Sequence, residues 1–323
     1  MSARVSIGVA AMAILLAACG SSPTSAGGQP SPSATVTATA AANLIVIADY
    51  PQSSPETTPI VLHLVRPDGT EANRLTLKAG AMTTTARGAR IFVVEHGGVL
   101  KALHRDGSVE DLASLGAPDP GVMVVSPDGN TWMWGTLDTN GKGIVYAGTK
   151  VLFYTASGPI DLVDPVSGRV TPLNHTTDCS FSDLAANGMI ACFPSANEHT
   201  LSLIAGNGRV TSVALPANRF AREGAAYFSP NDDKLIVGGA TGAGAGQERF
   251  ASDLIRTSDG SITPLGLDNV RPANGGWAWL ADGSVIVYRP QVAAAGPGVW
   301  LVGPSGSVTK LAAAGEPIGV LTG

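Results

Sequence analysis

Tight turns recur between residues 43 and 323 in two interleaved series, and they constrain the fold more than anything else in the chain. One series comprises Arg66-Pro67-Asp68-Gly69, Arg105-Asp106-Gly107, Asp164-Pro165-Val166-Ser167-Gly168, Gly206-Asn207-Gly208, Ser258-Asp259-Gly260 and Gly303-Pro304-Ser305-Gly306. Apolar segments such as 61–65, 160–163 and 299–302 precede these turns, and short segments ending in leucine (170–173, 210–215, 308–311) follow them. Aspartate or asparagine beside glycine suits a hairpin turn, because glycine supplies positive φ without steric cost. The second series runs through residues 86–89, Ser126-Pro127-Asp128-Gly129, residues 183–188, residues 230–233 and Ala281-Asp282-Gly283. No long segment carries helical periodicity. Short runs of Val, Ile, Leu, Thr and aromatics bounded by Gly, Asp, Asn and Pro read as strands, so the chain is expected to be all-β.

The first series has six members and the second five. Turns of the first join the third and fourth strands of a unit, and turns of the second join its first and second strands. The first unit opens directly on segment 44–48 with no strand before it, and segment 317–321 is left over after the sixth unit. The missing strand and the spare one match. That pattern describes a ring closed by its two ends, which removes exposed sheet edges. Four-stranded units of about 40–50 residues fit the blades of a β-propeller. The third unit holds extra residues, 137–159, which form either an inserted hairpin around Gly148-Thr149 or part of a seventh blade. The turn count favours six four-stranded blades, with the C-terminal strand completing the first.

Over residues 43–323 the chain resembles TolB-type and WD-repeat-like β-propellers. Ser126-Pro127-Asp128-Gly129 reproduces their Ser-Pro-Asp-Gly turn in full, while Ser229-Pro230 and Ala281-Asp282-Gly283 reproduce parts of it. At the N-terminus, Leu16-Ala17-Ala18-Cys19 closes a short apolar run, 7–18, that follows Arg4. The run is shorter than the roughly 20 apolar residues of a spanning helix and has the layout of an export signal. Leu-Ala-Ala-Cys resembles the lipobox of bacterial lipoproteins. That resemblance implies a signal peptide over 1–18, acylation of Cys19 and a membrane anchor. Residues 19–42, made chiefly of Ser, Pro, Thr, Ala and Gly without charge, are expected to form a flexible linker. The expected location is the outer face of the cytoplasmic membrane or another envelope membrane, and the chain is expected to be monomeric.

Two cysteines remain in what would be an oxidising compartment. In the third unit Val125 and Trp132 are expected to face each other across the Ser-Pro-Asp-Gly turn. The equivalent pair in the fourth unit is Phe181 with Ile190, which brings Cys179 opposite Cys192. Directly opposed residues lie close enough for a disulfide.

Only 14% of residues are charged, the net charge is −5, and no Lys/Arg cluster exists to neutralise phosphates, so nucleic acid is not an expected partner. Connections between second and third strands vary most in length, and in a propeller they share one end with the segments entering each innermost strand. Insertions on one end mark a binding surface. The entering segments contribute Asp178, Arg222, Glu223, Arg271 and Asn274, a mixed-charge set suited to a small polar ligand, a peptide or an envelope protein. Trp132 with Trp134, and Trp277 with Trp279, alternate along strands and are expected to pack between blades. The five histidines are scattered, and no zinc-protease, nucleophile-elbow or phosphate-loop motif is present. No cofactor or metal is therefore expected. The sequence points to a binding or scaffolding module, with a hydrolase- or lactonase-type enzyme assembled from funnel loops as the alternative.

Overall fold

A computed structural model describes residues 43–50, 58–78, 80–95, 98–114, 121–125, 129–130, 132–136, 143–147, 150–154, 160–163, 169–173, 179–194, 199–220, 224–241, 249–273, 278–290 and 296–322. Described residues form strands and turns, with no helix among them. The first strands are β1 (Leu44–Asp49), β2 (Ile60–Val65) and β3 (Glu71–Leu77), followed by β4 (Ala81–Arg87), β5 (Arg90–Glu95), β6 (Val99–Leu103) and β7 (Val109–Ser114). Next come β8 (Gly121–Val125) and β9 (Trp132–Thr136), then β10 (Gly143–Ala147), β11 (Lys150–Tyr154), β12 (Ile160–Val163) and β13 (Val170–Leu173). Another sheet contains β14 (Cys179–Leu184), β15 (Ile190–Pro194), β16 (Thr200–Ile204) and β17 (Val210–Ala214). It is followed by β18 (Ala225–Phe228), β19 (Lys234–Thr241), β20 (Arg249–Arg256) and β21 (Ile262–Pro264). The last are β22 (Arg271–Pro272), β23 (Val285–Arg289), β24 (Gly298–Val302), β25 (Val308–Ala312) and β26 (Glu316–Leu321).

The final strand pairs antiparallel with the first, from Leu44 opposite Leu321 to Ala48 opposite Glu316. It thereby completes a β26-β1-β2-β3 sheet, which touches β4-β5-β6-β7 through one parallel pairing, Gly319 opposite Ala86. Four-stranded sheets β10–β13, β14–β17, β18–β21 and β22–β25 follow the same sequential antiparallel order. The third expected unit divides. β9 pairs only with β8 among the described residues, whereas β12 pairs with β11 and not with β9. β10 and β11 are thus the first two strands of a sheet of their own rather than an insertion. β8 nevertheless lies beside β10, and Val125 packs on Phe92, Val94 and Leu100 of the second sheet.

Second strands show why their sequences are unbroken apolar runs. In β1, Val46 and Ala48 pack towards the β4–β7 sheet with Ala86, Ile91 and Val93, while Ile45 and Ile47 pack towards β22–β25 with Ile286, Tyr288 and Leu301. β23 repeats the arrangement: Ile286 and Tyr288 face β1, and Val285 and Val287 face Ile236 of β19. Successive strand residues point to opposite faces, so a sheet sandwiched between two neighbours needs apolar residues at every position. Outermost strands lack that constraint. Val109, Val210 and Val308, the first residues of β7, β17 and β25, are exposed.

Turns between third and fourth strands share one local device. The Asp or Asn oxygen accepts the backbone N–H two residues on: Asp68 from Thr70 at 2.8 Å, Asp106 from Ser108 at 2.9 Å, Asn207 from Arg209 at 3.0 Å and Asp259 from Ser261 at 2.9 Å. The intervening glycines sit at φ between +71° and +87°. Side chain and glycine together build an Asx turn.

Cys179 and Cys192 are disulfide-bonded, with Cα atoms 5.6 Å apart. Val125 lies opposite Trp132, but in the fourth unit the expected register is off by two residues on β15. Phe181 pairs with Cys192, Cys179 with Pro194 and Leu184 with Ile190, because β14 bulges between Phe181 and Asp183 and continues to a tight turn at 185–188. The bulge directs Ser182 sideways. Its Oγ accepts from Ala226 N at 2.6 Å and donates to Ala226 O at 2.9 Å, joining two sheets. The cysteines are accordingly diagonal rather than directly opposed.

Two stability predictions follow from this architecture. Gly319 has φ +150°, and a Cβ there would collide with the Ala86 backbone. Gly319→Val should therefore cost more in urea unfolding than Gly306→Ala, whose Cβ would meet no neighbour and whose cost of about 1–2 kcal/mol is the left-handed backbone alone. Reducing the Cys179–Cys192 bond should lower unfolding free energy by roughly 3 kcal/mol, and Cys179→Ala should abolish that sensitivity to reductant.

Candidate functional site

Arg271 opens β22 and lies directly opposite Tyr288. The segment before it is anchored to β20 by side-chain hydrogen bonds. Asn269, at φ +57°, accepts from Phe250 N through Oδ1 at 2.8 Å, and Ser252 Oγ donates to Val270 O at 2.8 Å. These anchors bring Arg271 between two rings. Its guanidinium carbon is 4.8 Å from the Tyr288 centroid and 5.5 Å from that of Phe250. Such stacking is worth about 0.5–2 kcal/mol and holds the planar group in one orientation. Arg271 also donates a hydrogen bond to Tyr288. The Tyr288 hydroxyl in turn donates to Glu316 Oε1 at 3.2 Å, across to the first residue of β26. Burial pushes the Tyr288 phenol well above its ordinary range and Glu316 reinforces the shift, while Arg271 pulls it back. Tyr288 is therefore a neutral hydrogen-bond donor at physiological pH.

Close by, Arg219 pairs with Asp253 at 2.5 Å, and Asp253 is buried. Burial raises the Asp253 carboxyl despite the opposing pull of Arg219. Arg289 stacks on Trp300 at 4.9 Å and donates to Asp268 O at 2.8 Å. These pairs pin loops to strands.

Of the residues expected at the site, Arg271 is placed as described. Asp178, Arg222, Glu223 and Asn274 lie outside the described residues, as does Cys19. Trp132 and Trp134 belong to β9, and their side chains are not among those described; Trp277 lies outside. Trp279 is buried between sheets, packed with Ile236 and Val287, and its Nε1 donates to Tyr227 O at 2.9 Å. The closest histidine–carboxylate pair described, His63 Nδ1 with Glu71 at 2.9 Å, stands on the outer strands β2 and β3. No motif in the sequence marks out Tyr288, Glu316 or Phe250. Register would have placed Tyr288 opposite Arg271, and the closing strand would have brought Glu316 alongside.

A second, half-buried charge cluster occupies the opposite end of the strands. Asp183 accepts from Phe228 N at 2.7 Å and from Leu184 N at 2.9 Å, while Asp232 accepts from Ala186 N and Asn187 N. Loss of water around Asp183 pushes its carboxyl up to about 7. The two N–H donors and Arg87 oppose that shift, and Asp232 adds to it. Arg87, itself pushed down to about 10 by loss of water, is drawn partly back by Asp183.

No family model matches this chain, and no curated protein matches it in sequence. Solved structures do match by shape. Apo AztD from Citrobacter koseri aligns with a TM-score of 0.52 at 12% identity, over 87% of this chain and 97% of that one. The fold is a β-propeller. Tricorn protease aligns at 0.38 and 13% identity over 76% of this chain, a match that spans 28% of that protein's length. The N-terminal domain of Nup159 aligns at 0.38 and 10% identity, over 87% and 88% of the two chains.

Asp183 gives this propeller a pH signature. Its folded carboxyl protonates near pH 7 and its unfolded one near 3.8. Between those values the folded state holds a proton that the unfolded state lacks, so stability rises as pH falls from 7 towards 4 and levels off below. The slope is at most about 1.4 kcal/mol per pH unit. Urea midpoints measured from pH 4 to 8 should show this slope, and Asp183→Asn should flatten it.

Proposed function

We propose that the protein is a membrane-anchored extracytoplasmic lipoprotein whose propeller is a binding or scaffolding module, taking a protein, peptide or small polar ligand at its loop-rich end. The ring is read as six four-stranded blades, with β8–β9 as a shorter seventh unit between the second blade and β10–β13. The Leu-Ala-Ala-Cys sequence supports acylation at Cys19, and the Cys179–Cys192 bond favours an oxidising compartment. The turn between Ser126 and Gly129 supports a TolB-like repeat.

The observation that carries the binding reading is the Arg271–Tyr288–Glu316 cluster. It offers a fixed cation, with a carboxylate beside it held by a neutral phenol, at the end of the strands where the variable connections open. Convergent polar groups on rigid elements are how ligand sites are built. β1 begins at Leu44, opposite Leu321, at the turn end of its sheet, where Thr322 N donates to Gly88 O. Leu44, the first residue of β1, thus lies at the end of its sheet away from Glu316.

Labelling with a fatty-acid analogue should mark the wild-type protein and not Cys19→Ala, and the variant should leave the membrane fraction. A propeller beginning at residue 43 should retain a specific envelope partner that is lost when residues 242–248 are replaced by a short Gly-Ser linker. Absence of any partner, or retention by the trimmed variant, would count against the binding reading.

A further inference from the structure

We infer that Arg271 is the anchoring point for a carboxylate of the ligand, so that the loop-rich end recognises a small organic acid or the free C-terminus of a peptide. The inference deepens the binding reading above and rests on it.

The argument begins with the charge balance of Arg271. Arg219 has Asp253, and Arg74 and Arg256 have Glu71 and Asp259. Arg271 makes no ion pair with any described carboxylate. Among the described residues its contacts are the two rings and the Tyr288 hydroxyl. Its Nε is buried without a hydrogen-bond partner. Glu316 is nearby, yet the Tyr288 hydroxyl is donated to it, so the phenol stands between carboxylate and guanidinium. A half-buried cation left in that state carries a desolvation cost that an incoming anion would relieve.

Geometry selects the anion. A guanidinium offers five donors in a planar fork that matches a carboxylate bidentately. The flanking rings hold the plane of that fork, so little orientational freedom remains to be lost on binding. Tyr288 is kept protonated and its hydrogen already serves Glu316, which leaves the Arg271 fork as the principal donor to a ligand. Glu316 would repel a second negative charge placed close by. That disfavours a dianionic phosphate relative to a single carboxylate, and it favours a ligand whose remaining surface is neutral or cationic.

The probes are a mixture of tetrapeptides with free C-termini, the same mixture amidated, succinate with its monomethyl ester, and inorganic phosphate. Each is titrated into the propeller beginning at residue 43, followed by the arginine side-chain Nε–Hε resonances. A free-acid probe should saturate and shift the Arg271 resonance, with amidated peptide and phosphate at least about tenfold weaker. Peptide and succinate arms separate the two sources of carboxylate. Arg271→Gln should weaken the free acid by at least about tenfold while Arg271→Lys recovers part of the loss, because the charge returns without the fork. The inference is overturned if no free-acid probe moves the wild-type resonance, if amidated and free peptides bind equally, or if Arg271→Gln binds unchanged. An envelope partner still captured by Arg271→Gln would leave the binding reading standing and remove only the carboxylate anchor.

Discussion

The second strands β1, β5, β19 and β23 pack apolar residues on both faces, and much of the described structure answers to that constraint. Ile45 and Ile47 on one side of β1, and Val46 and Ala48 on the other, enter two different cores. β5, β19 and β23 do the same with their neighbours. Each fully buried side chain of this size contributes roughly 1.5–3 kcal/mol, and none of these second strands can be withdrawn without exposing both cores it divides. β26 is the critical member. Its pairing with β1 and its single backbone approach to β4 join the two ends of the chain. The close approach is possible because Gly319 carries no side chain at the point facing Ala86.

Much of this was legible because the turns are local. An Asx oxygen that accepts from the residue two positions on, beside a glycine at positive φ, is written within four residues and needs no tertiary information. The spare last strand could likewise be counted from the sequence. What escaped was non-local. Residues 143–154 look like a hairpin in either reading, and only the pairing of β11 with β12 assigns them to a separate sheet. The bulge at Ser182 is a second case. Its hydroxyl serves Ala226 of another sheet, and that long-range demand lengthens β14 and shifts the cysteine register.

The site shows the same division. Arg271 was visible because it is a charged residue leading into an innermost strand. Tyr288 and Phe250 read as core aromatics on β23 and β20, and by burial Tyr288 is one. Its hydroxyl acquires a role only because closure of the chain places Glu316 within reach. The structural element that joins the chain ends thus also supplies a member of the candidate site, so stability of closure and geometry of the site are linked.

That linkage bears on what chemistry the cluster can perform. A phenol buried and hydrogen-bonded to a carboxylate resists ionisation, because forming phenolate would place a second negative charge against Glu316 in a water-poor setting. Arg271 opposes the effect without reversing it. Tyr288 is therefore not poised to take a proton near neutral pH, as a general base at that position would have to be. Beside it stands a cation fixed in orientation by two rings, with the phenol hydrogen committed to Glu316. An acid–base role for Tyr288 would need Glu316 to withdraw, and Glu316 is held at the head of the strand that closes the fold.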